Sequence, residues 1–222
     1  MMNPTNNLFR LWRTPWIDSL PEVFRLLRDI LLAALGLLLF WPVFLLVSLA
    51  IYIDSPGPVL FRQERLGRAG RPFTLLKFRS MRLDADSLLD AFLEADPGFR
   101  LAWQQNQKLW NDPRCTRLGA FLRRSSLDEL PQLWNVLRGE MSLVGPRPIL
   151  PGQQAQYGPL FERYASLRPG LTGLWQVMGR NHLSFAGRIF LDQVYISQRS
   201  LLLDAYILLR TIWVVLSGQG AC

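Results

Sequence analysis

The sequence is poor in the residues that imidazole and zinc chemistry need. It holds one histidine, His182, and two cysteines, Cys115 and Cys222. A zinc site takes three or four His, Cys or carboxylate ligands, so one built on His and Cys is excluded. A Ser-His-Asp or Cys-His site would have to run through that single imidazole. At most one disulfide can form, which excludes a cysteine-stapled secreted scaffold. His182 and both cysteines are read as non-catalytic. Lysine is nearly missing too: of 25 basic residues, only Lys77 and Lys108 are not arginine. Internal repeats and Ser/Gly-rich linkers are also lacking, so the chain reads as one domain, or a small domain with an appendage.

What is present is apolar and basic. Half of the 222 residues are hydrophobic, which excludes disorder, and 25 basic against 17 acidic residues leave a net charge of +8. Arginine grips phosphate in bidentate fashion, so nucleic acid, phosphorylated ligands and anionic lipid headgroups are all open as partners.

Residues 30–53 form a run of 24 without one charge, interrupted only by Gly36, Pro42 and Ser48. As helix it is about 36 Å long, enough to cross a hydrocarbon core of about 30 Å. A buried core helix is usually shorter and only half-apolar, and no small-residue cleavage site marks a signal peptide. Both flanks are basic, with Arg10, Arg13, Arg25 and Arg28 before the run and Arg62 to Arg82 after it. A single span would carry the excess on one side. Pro42 removes a backbone hydrogen bond near the middle. A segment that enters, breaks at Trp41-Pro42 and leaves on the same face competes on these grounds with a straight span, since proline also occurs in spans.

Asp54 to Pro58 is a turn cluster that ends this helix. Residues 59–62 and 73–78 read as a hairpin around a cationic Gly/Arg loop, 66–71. Helical patterns cover 83–93, 98–110, 185–197 and 201–216. The last of these suits a helix lying at a membrane interface, or equally an ordinary core helix. Residues 8–16, with Trp12 and Trp16 beside arginines, read as a further interfacial piece.

Three segments could carry chemistry. In Arg123-Arg124-Ser125-Ser126-Leu127-Asp128-Glu129-Leu130-Pro131, Ser126 and Glu129 have capping-box spacing, which would make both acids plain helix-start residues. Alternatively, adjacent carboxylates with two arginines upstream could hold magnesium and a phosphate together. Gly145-Pro146-Arg147-Pro148 holds one arginine on a rigid loop. Residues 168–181 include Arg168, Gln176, Arg180 and Asn181 among glycines that allow close backbone approach. None of the three names a reaction alone.

Taken in order, these motifs resemble the bacterial sugar transferases, the monotopic phosphoglycosyl transferases that start lipid-linked glycan assembly. The resemblance runs from about Pro21 to Cys222. It rests on DSPGPVLFRQERLG, KFRSM (77–81), DPRCTRLGAFLRRSSLDELPQLWNVLRGEMSLVGPRPIL (112–150) and RPGLTGLWQVMGRN (168–181). The later part is most similar to undecaprenyl-phosphate galactose phosphotransferases, without the additional N-terminal membrane bundle that many of these carry.

The resemblance implies a mainly α fold with a small β-hairpin: an N-terminal interfacial segment (1–29), a re-entrant membrane helix broken near Pro42 (30–53) and a catalytic domain with interfacial amphipathic helices on the cytoplasmic face of the bacterial inner membrane (54–222). Many members have Ser-Pro at the break, where this chain has Trp41-Pro42. The catalytic pair falls on Asp128 and Glu129, with magnesium as cofactor held by both. Asp128 is then the nucleophile toward the β-phosphorus of a UDP-sugar, releasing UMP, and undecaprenyl phosphate is the acceptor. Arg123 and Arg147 match phosphate-binding positions; Lys77, Arg79, Arg168, Gln176 and Arg180 are further substrate-binding candidates. Galactose is the favoured sugar, with glucose or an N-acetylated sugar as alternatives, and a non-catalytic membrane adaptor as the different-class alternative. Membrane lipids are expected partners, nucleic acid is not, and a homodimer is open.

Overall fold

A computed structural model describes residues 15–95, 98, 100, 103, 112–180 and 183–217. The expected 8–16 interfacial piece and 98–110 helix lie wholly or largely outside these residues, as do Asn181, His182 and Cys222. The fold is mainly helical. Helix α1 (Pro15–Asp54) is followed by the antiparallel hairpin β1 (Leu60–Leu66) and β2 (Pro72–Phe78), then α2 (Ala85–Ala95), α3 (Arg117–Arg124), α4 (Gln132–Leu137) and β3 (Ser142–Val144). The short α5 (Gln154–Tyr157) and α6 (Leu160–Ala165), β4 (Gly170–Thr172), α7 (Leu174–Met178), α8 (Phe185–Gln198) and α9 (Leu201–Ser217) complete it.

Helix α1 begins well before the uncharged run and passes through Pro42 without interruption. The break expected there is therefore not a gap in the helix. One stripe of α1 faces the remainder of the chain. Ala33 is fully buried with Leu133 and Val136 of α4, and Val47 and Ile51 pack with Phe78 and Leu122. Phe44 meets Phe78 with ring centroids 5.4 Å apart. Polar contacts latch the stripe near its N-terminal end. Arg25 Nε donates to Asp204 Oδ2 at 2.9 Å, Arg28 Nη1 reaches the same oxygen at 3.3 Å, and Ser142 Oγ bonds Asp29 Oδ2. Both acceptor carboxylates, Asp204 and Asp29, are buried, and each is paired with arginine, so removing the arginine leaves an uncompensated charge.

The opposite face of α1 is bare: Leu31, Leu38, Leu45, Leu46 and Leu49 are exposed. Only 11% of its most apolar window is covered by the rest of the chain. A soluble core helix would be mostly covered, so that reading of the run fails. Helix α9 repeats the pattern on a smaller scale, with Asp204, Ile207 and Val214 buried and Leu202, Leu209, Trp213 and Leu216 exposed.

The hairpin pairs Leu60 with Phe78 through Leu66 with Pro72, as its alternating pattern predicts, though the first strand is longer than expected. A parallel pair, β3 with β4, has no counterpart in the sequence reading. Its chains approach so closely that a Cβ at Gly170 would sit 2.1 Å from the Gly145 nitrogen. Glycine is obligatory there because any side chain would overlap backbone.

Candidate functional site

Asp128 and Glu129 occupy a single 3-10 turn, Leu127–Glu129, between α3 and α4. Thr116 caps α3, accepting from Gly119 N at 2.9 Å. After α3 ends, Ser126 adopts φ +58 in the left-handed region and makes no capping bond from its side chain. The capping box read from the sequence is therefore not formed. The Ser126 hydroxyl instead accepts from Arg180 Nη2 at 2.9 Å. A left-handed serine is strained by roughly 1 kcal/mol or more, and such strain collects at functional turns. Leu127 and Leu130 pack into the cluster of Phe78, Leu122 and Val47, which pins the turn. Pro131 starts α4, where its missing N–H costs nothing.

Lys77, near the end of β2, supplies the closest cation. Its Nζ is 2.7 Å from Glu129 Oε1 and 3.7 Å from Asp128 Oδ2. The strand is held against α4 by fully buried Asn135, whose Oδ1 accepts from Leu76 N at 3.1 Å and whose Nδ2 donates to Thr74 O at 2.8 Å. Arg147 Nη2 approaches Glu129 Oε1 to 3.3 Å, and its guanidinium lies over the Trp175 ring at 5.5 Å. Arg123 donates to Ser80 Oγ at 2.9 Å and lies near enough to Asp128 to favour its ionised form.

These surroundings drive the two acids apart. Burial raises the Asp128 carboxyl above the ordinary aspartate range, the adjacent Glu129 charge raises it further, and Lys77, Arg123 and Arg147 oppose both. Burial also pushes Glu129 up, but Lys77 and Arg147 together outweigh it and hold the carboxyl down at about 2. Paired carboxylates with separated proton affinities are a common arrangement for divided chemical roles.

The remaining candidates divide. Gln176 sits on α7 beside Trp175, with both amide atoms buried and without hydrogen-bond partners. Arg180 joins the site through Ser126. Arg79 does not: it is buried beneath Gly57 and donates to the Ser55 carbonyl, bracing the turn after α1. Arg168 is also elsewhere, its charged neighbours being Asp29, Glu22, Arg68 and Arg199. Two arginines join that the sequence reading did not single out. Arg65 donates to Pro148 O at 3.2 Å, and burial, with Arg147 close by, lowers its affinity for the proton to about 10. Arg188 lies over Trp175 at 5.0 Å. The RQER run on a strand next to a cationic loop was the only sequence signal for Arg65, and Arg188 had none. Cys115 is a free thiol that burial keeps protonated, in keeping with a non-catalytic reading.

Among the described residues no three His, Cys, Asp or Glu side chains cluster as a metal site. Two adjacent carboxylates remain a donor set that fits magnesium, which takes one or two carboxylates and completes its shell with substrate phosphates and water.

A largely buried acid pair faced by Lys77 and Arg147 thus lies in the same domain as an apolar helix that is bare on one side. Residues 20–218 match the bacterial sugar transferase family, and the chain belongs to it. It is 46% identical over 192 residues to the UDP-galactose-lipid carrier transferase of Erwinia amylovora, covering 86% of this chain and 40% of that protein. It is 44% identical over 193 residues to the exopolysaccharide production protein ExoY of Rhizobium meliloti, covering 87% and 85%. The UDP-glucose:undecaprenyl-phosphate glucose-1-phosphate transferase of Xanthomonas campestris is 42% identical over 212 residues, covering 92% and 41%. The chain thus spans about two fifths of the first and third of these relatives.

Proposed function

We propose that the protein moves a hexose-1-phosphate, with galactose-1-phosphate favoured, from a UDP-sugar to undecaprenyl phosphate, in the synthesis of a surface polysaccharide. The observation that carries this reading is the Asp128-Glu129 turn with Lys77, Arg123 and Arg147 converging on it. A carboxylate oxygen of Asp128 attacks the β-phosphorus, the bond from that phosphorus to the bridging oxygen breaks, and UMP leaves with the electron pair. A phosphate oxygen of undecaprenyl phosphate then attacks the same phosphorus, frees Asp128 and gives the lipid diphosphate-sugar. Lys77 favours the ionised nucleophile, and Arg147 and Arg123 offer charge to the transferring phosphoryl oxygens. Glu129, ionised at all working pH values, orients Lys77 and Arg147. Magnesium, held by Asp128 and Glu129, would neutralise the donor diphosphate.

The two contact regions of α1 support a monotopic attachment. Arg25 is tied to Asp204 and Ile51 to Phe78, so both ends of the helix rest on one domain. A straight crossing would carry one of these contacts through the bilayer. On this reading the helix enters and leaves one leaflet of the inner membrane, with Pro42 as the place of its bend and the site on the cytoplasmic face. Labelling of cysteines placed at residues 20 and 56 with a membrane-impermeant reagent tests this; opposite-side labelling overturns it.

The test of the reaction is UMP release from UDP-galactose, UDP-glucose and UDP-N-acetylated sugars, with magnesium and undecaprenyl phosphate, by the protein and by Asp128→Asn. Release with one donor, lost in the variant, is the expected result. Equal release by both proteins removes the mechanism. Release with UDP-glucose alone reassigns the sugar, since the epimers differ at one hydroxyl.

A further inference from the structure

Trp175 of α7 carries two arginines that come from different parts of the fold. The guanidinium of Arg147, on the loop after β3, lies 5.5 Å from the centre of the indole, and that of Arg188, near the start of α8, lies 5.0 Å from it. The two cations cannot be farther apart than these distances together. The ring that holds them is firmly seated: Trp175 is 5% exposed, and Leu174 and Val177 on the same short helix belong to the main core cluster. Arg188 is fixed in turn. Its Nε donates to Leu183 O at 3.2 Å, and Ser184 caps α8, accepting from Gly187 N at 3.2 Å. Both arginines stay partly exposed, so a ligand can reach them. The arrangement concentrates positive charge, because like charges share one ring and Arg188 sits near the positive end of the α8 dipole, where residues 185–187 supply no acid. The acid in contact with Arg147 is Glu129, at 3.3 Å, and Lys77 already bonds it at 2.7 Å. Trp175 Nε1 and both amide atoms of Gln176 are buried without hydrogen-bond partners, so the same wall holds polar capacity that the chain does not use.

We propose that Arg188 is a further substrate-binding residue: with Arg147 it clamps the diphosphate of the donor across the Trp175 ring, Arg147 holding the phosphate that is transferred and Arg188 the phosphate that leaves with the nucleoside. The assignment follows from position. Arg147 is the member in contact with the acid pair, so it stands beside the phosphorus that Asp128 attacks. Arg188 reaches the same ring from α8, and the next anionic group along the donor is the phosphate attached to the nucleoside. When the bond from the β-phosphorus to the bridging oxygen breaks, that oxygen keeps the electron pair and the nucleoside phosphate gains a charge. A guanidinium already seated there stabilises the leaving group without reorganising at the moment of reaction. The inference rests on the proposed nucleotide-sugar donor and adds to it the residue that binds the released nucleotide.

The experiment measures binding of UMP, UDP-galactose and UDP-glucose by calorimetry, using the full chain in detergent with Asp128→Asn as background so that no donor is consumed. Adding Arg188→Ala is expected to weaken UMP and the UDP-sugars alike, by about tenfold, and Arg188→Lys, which keeps the charge, to recover part of that loss. Adding Arg147→Ala is expected to weaken the UDP-sugars and leave UMP unchanged. An Arg188 that merely supports the structure would unseat Trp175, and Arg147 with it, when removed, and so would reproduce the Arg147→Ala pattern. That pattern, or unchanged UMP binding in Arg188→Ala, overturns the clamp while leaving the nucleotide-sugar reading intact. If Arg188→Ala fails to fold, Arg188→Gln, uncharged and closer in length, is compared with Arg188→Lys by the same criterion. Absence of binding of UMP and of both UDP-sugars to the background protein overturns the donor reading, and the clamp with it.

Discussion

The ammonium of Lys77 stands 2.7 Å from Glu129 and 3.7 Å from Asp128, so one cation from a β-strand serves two acids on a turn 52 positions away. Replacing Lys77 with methionine leaves the adjacent carboxylates facing each other with less compensation. The Asp128 carboxyl, already raised, then rises further, and the ionised nucleophile becomes scarcer at neutral pH. UMP release should fall by roughly two orders of magnitude at pH 7 and recover partly at higher pH. A pH-rate profile of Lys77→Met against the parent checks both parts.

Arg147 touches Glu129 through its side chain and stacks on Trp175, and neither contact touches the nucleophile. Arg147→Ala should raise the donor KM roughly tenfold or more while a covalent phosphosugar adduct still forms on Asp128. Mass spectrometry of the protein after exposure to donor alone distinguishes this from Asp128→Asn, in which the adduct is absent.

Asp192 of α8, 1% exposed and bonded by the Tyr157 hydroxyl at 2.8 Å, makes stability depend on pH with a definite sign. Its folded value of about 7 lies above the ordinary aspartate value of 3.8, so folding favours the protonated form. The stabilisation is complete below about pH 4, declines as pH rises from there to about 7, and is lost above. The full difference amounts to about 4 kcal/mol. Thermal unfolding of Asp192→Asn and the parent should therefore diverge between pH 4 and pH 7, with the variant gaining relative stability as pH increases.

The ion pairs of α1 with α9 give a further expectation. Asp204 accepts from Arg25, Arg28 and Tyr195 and is fully buried. Substituting Arg25 with alanine strands part of that charge, at a cost of roughly 3–5 kcal/mol. Loss of this magnitude should appear as a large drop in unfolding temperature in detergent, whereas Arg62→Ala, on an exposed side chain, should change it little.

Helices α1, α2, α8 and α9 and the hairpin were legible in the sequence because each bears a long apolar run or a periodic apolar pattern, whereas the short α3, α5, α6 and α7 were not read. The acid pair was also legible, as local composition. The capping box was misread because spacing alone cannot show that Ser126 turns left-handed and gives its hydroxyl to Arg180, a contact across 54 positions. The β3–β4 pair was invisible because three-residue strands carry too little alternation to register. Arg79 and Lys77 lie two residues apart in one motif, yet the strand ends between them, so one meets the acids and the other braces a turn. Arg168 lies in a glycine-rich motif, yet its electrostatic partners belong to α1, whose charged turn precedes the uncharged run. Asn135, which fixes the strand that carries Lys77, looks like any polar helix residue until its three buried bonds are seen.

The two-ended attachment of α1 bears on how freely this chain can be recombined. Asp29 and Arg25 reach across to Ser142 and Asp204, while Val47 and Ile51 fill the space above Leu122, in the last turn but one before the acids. The lipid-facing helix is thus an internal wall of the enzyme as well as its anchor. Exchanging residues 21–54 for an unrelated apolar helix of equal length would preserve hydrophobicity and lose the matching surface. Soluble versions made by deleting it would expose the floor of the site. Transplanted anchors will serve this domain only if they bring the polar latch and the apolar stripe with them.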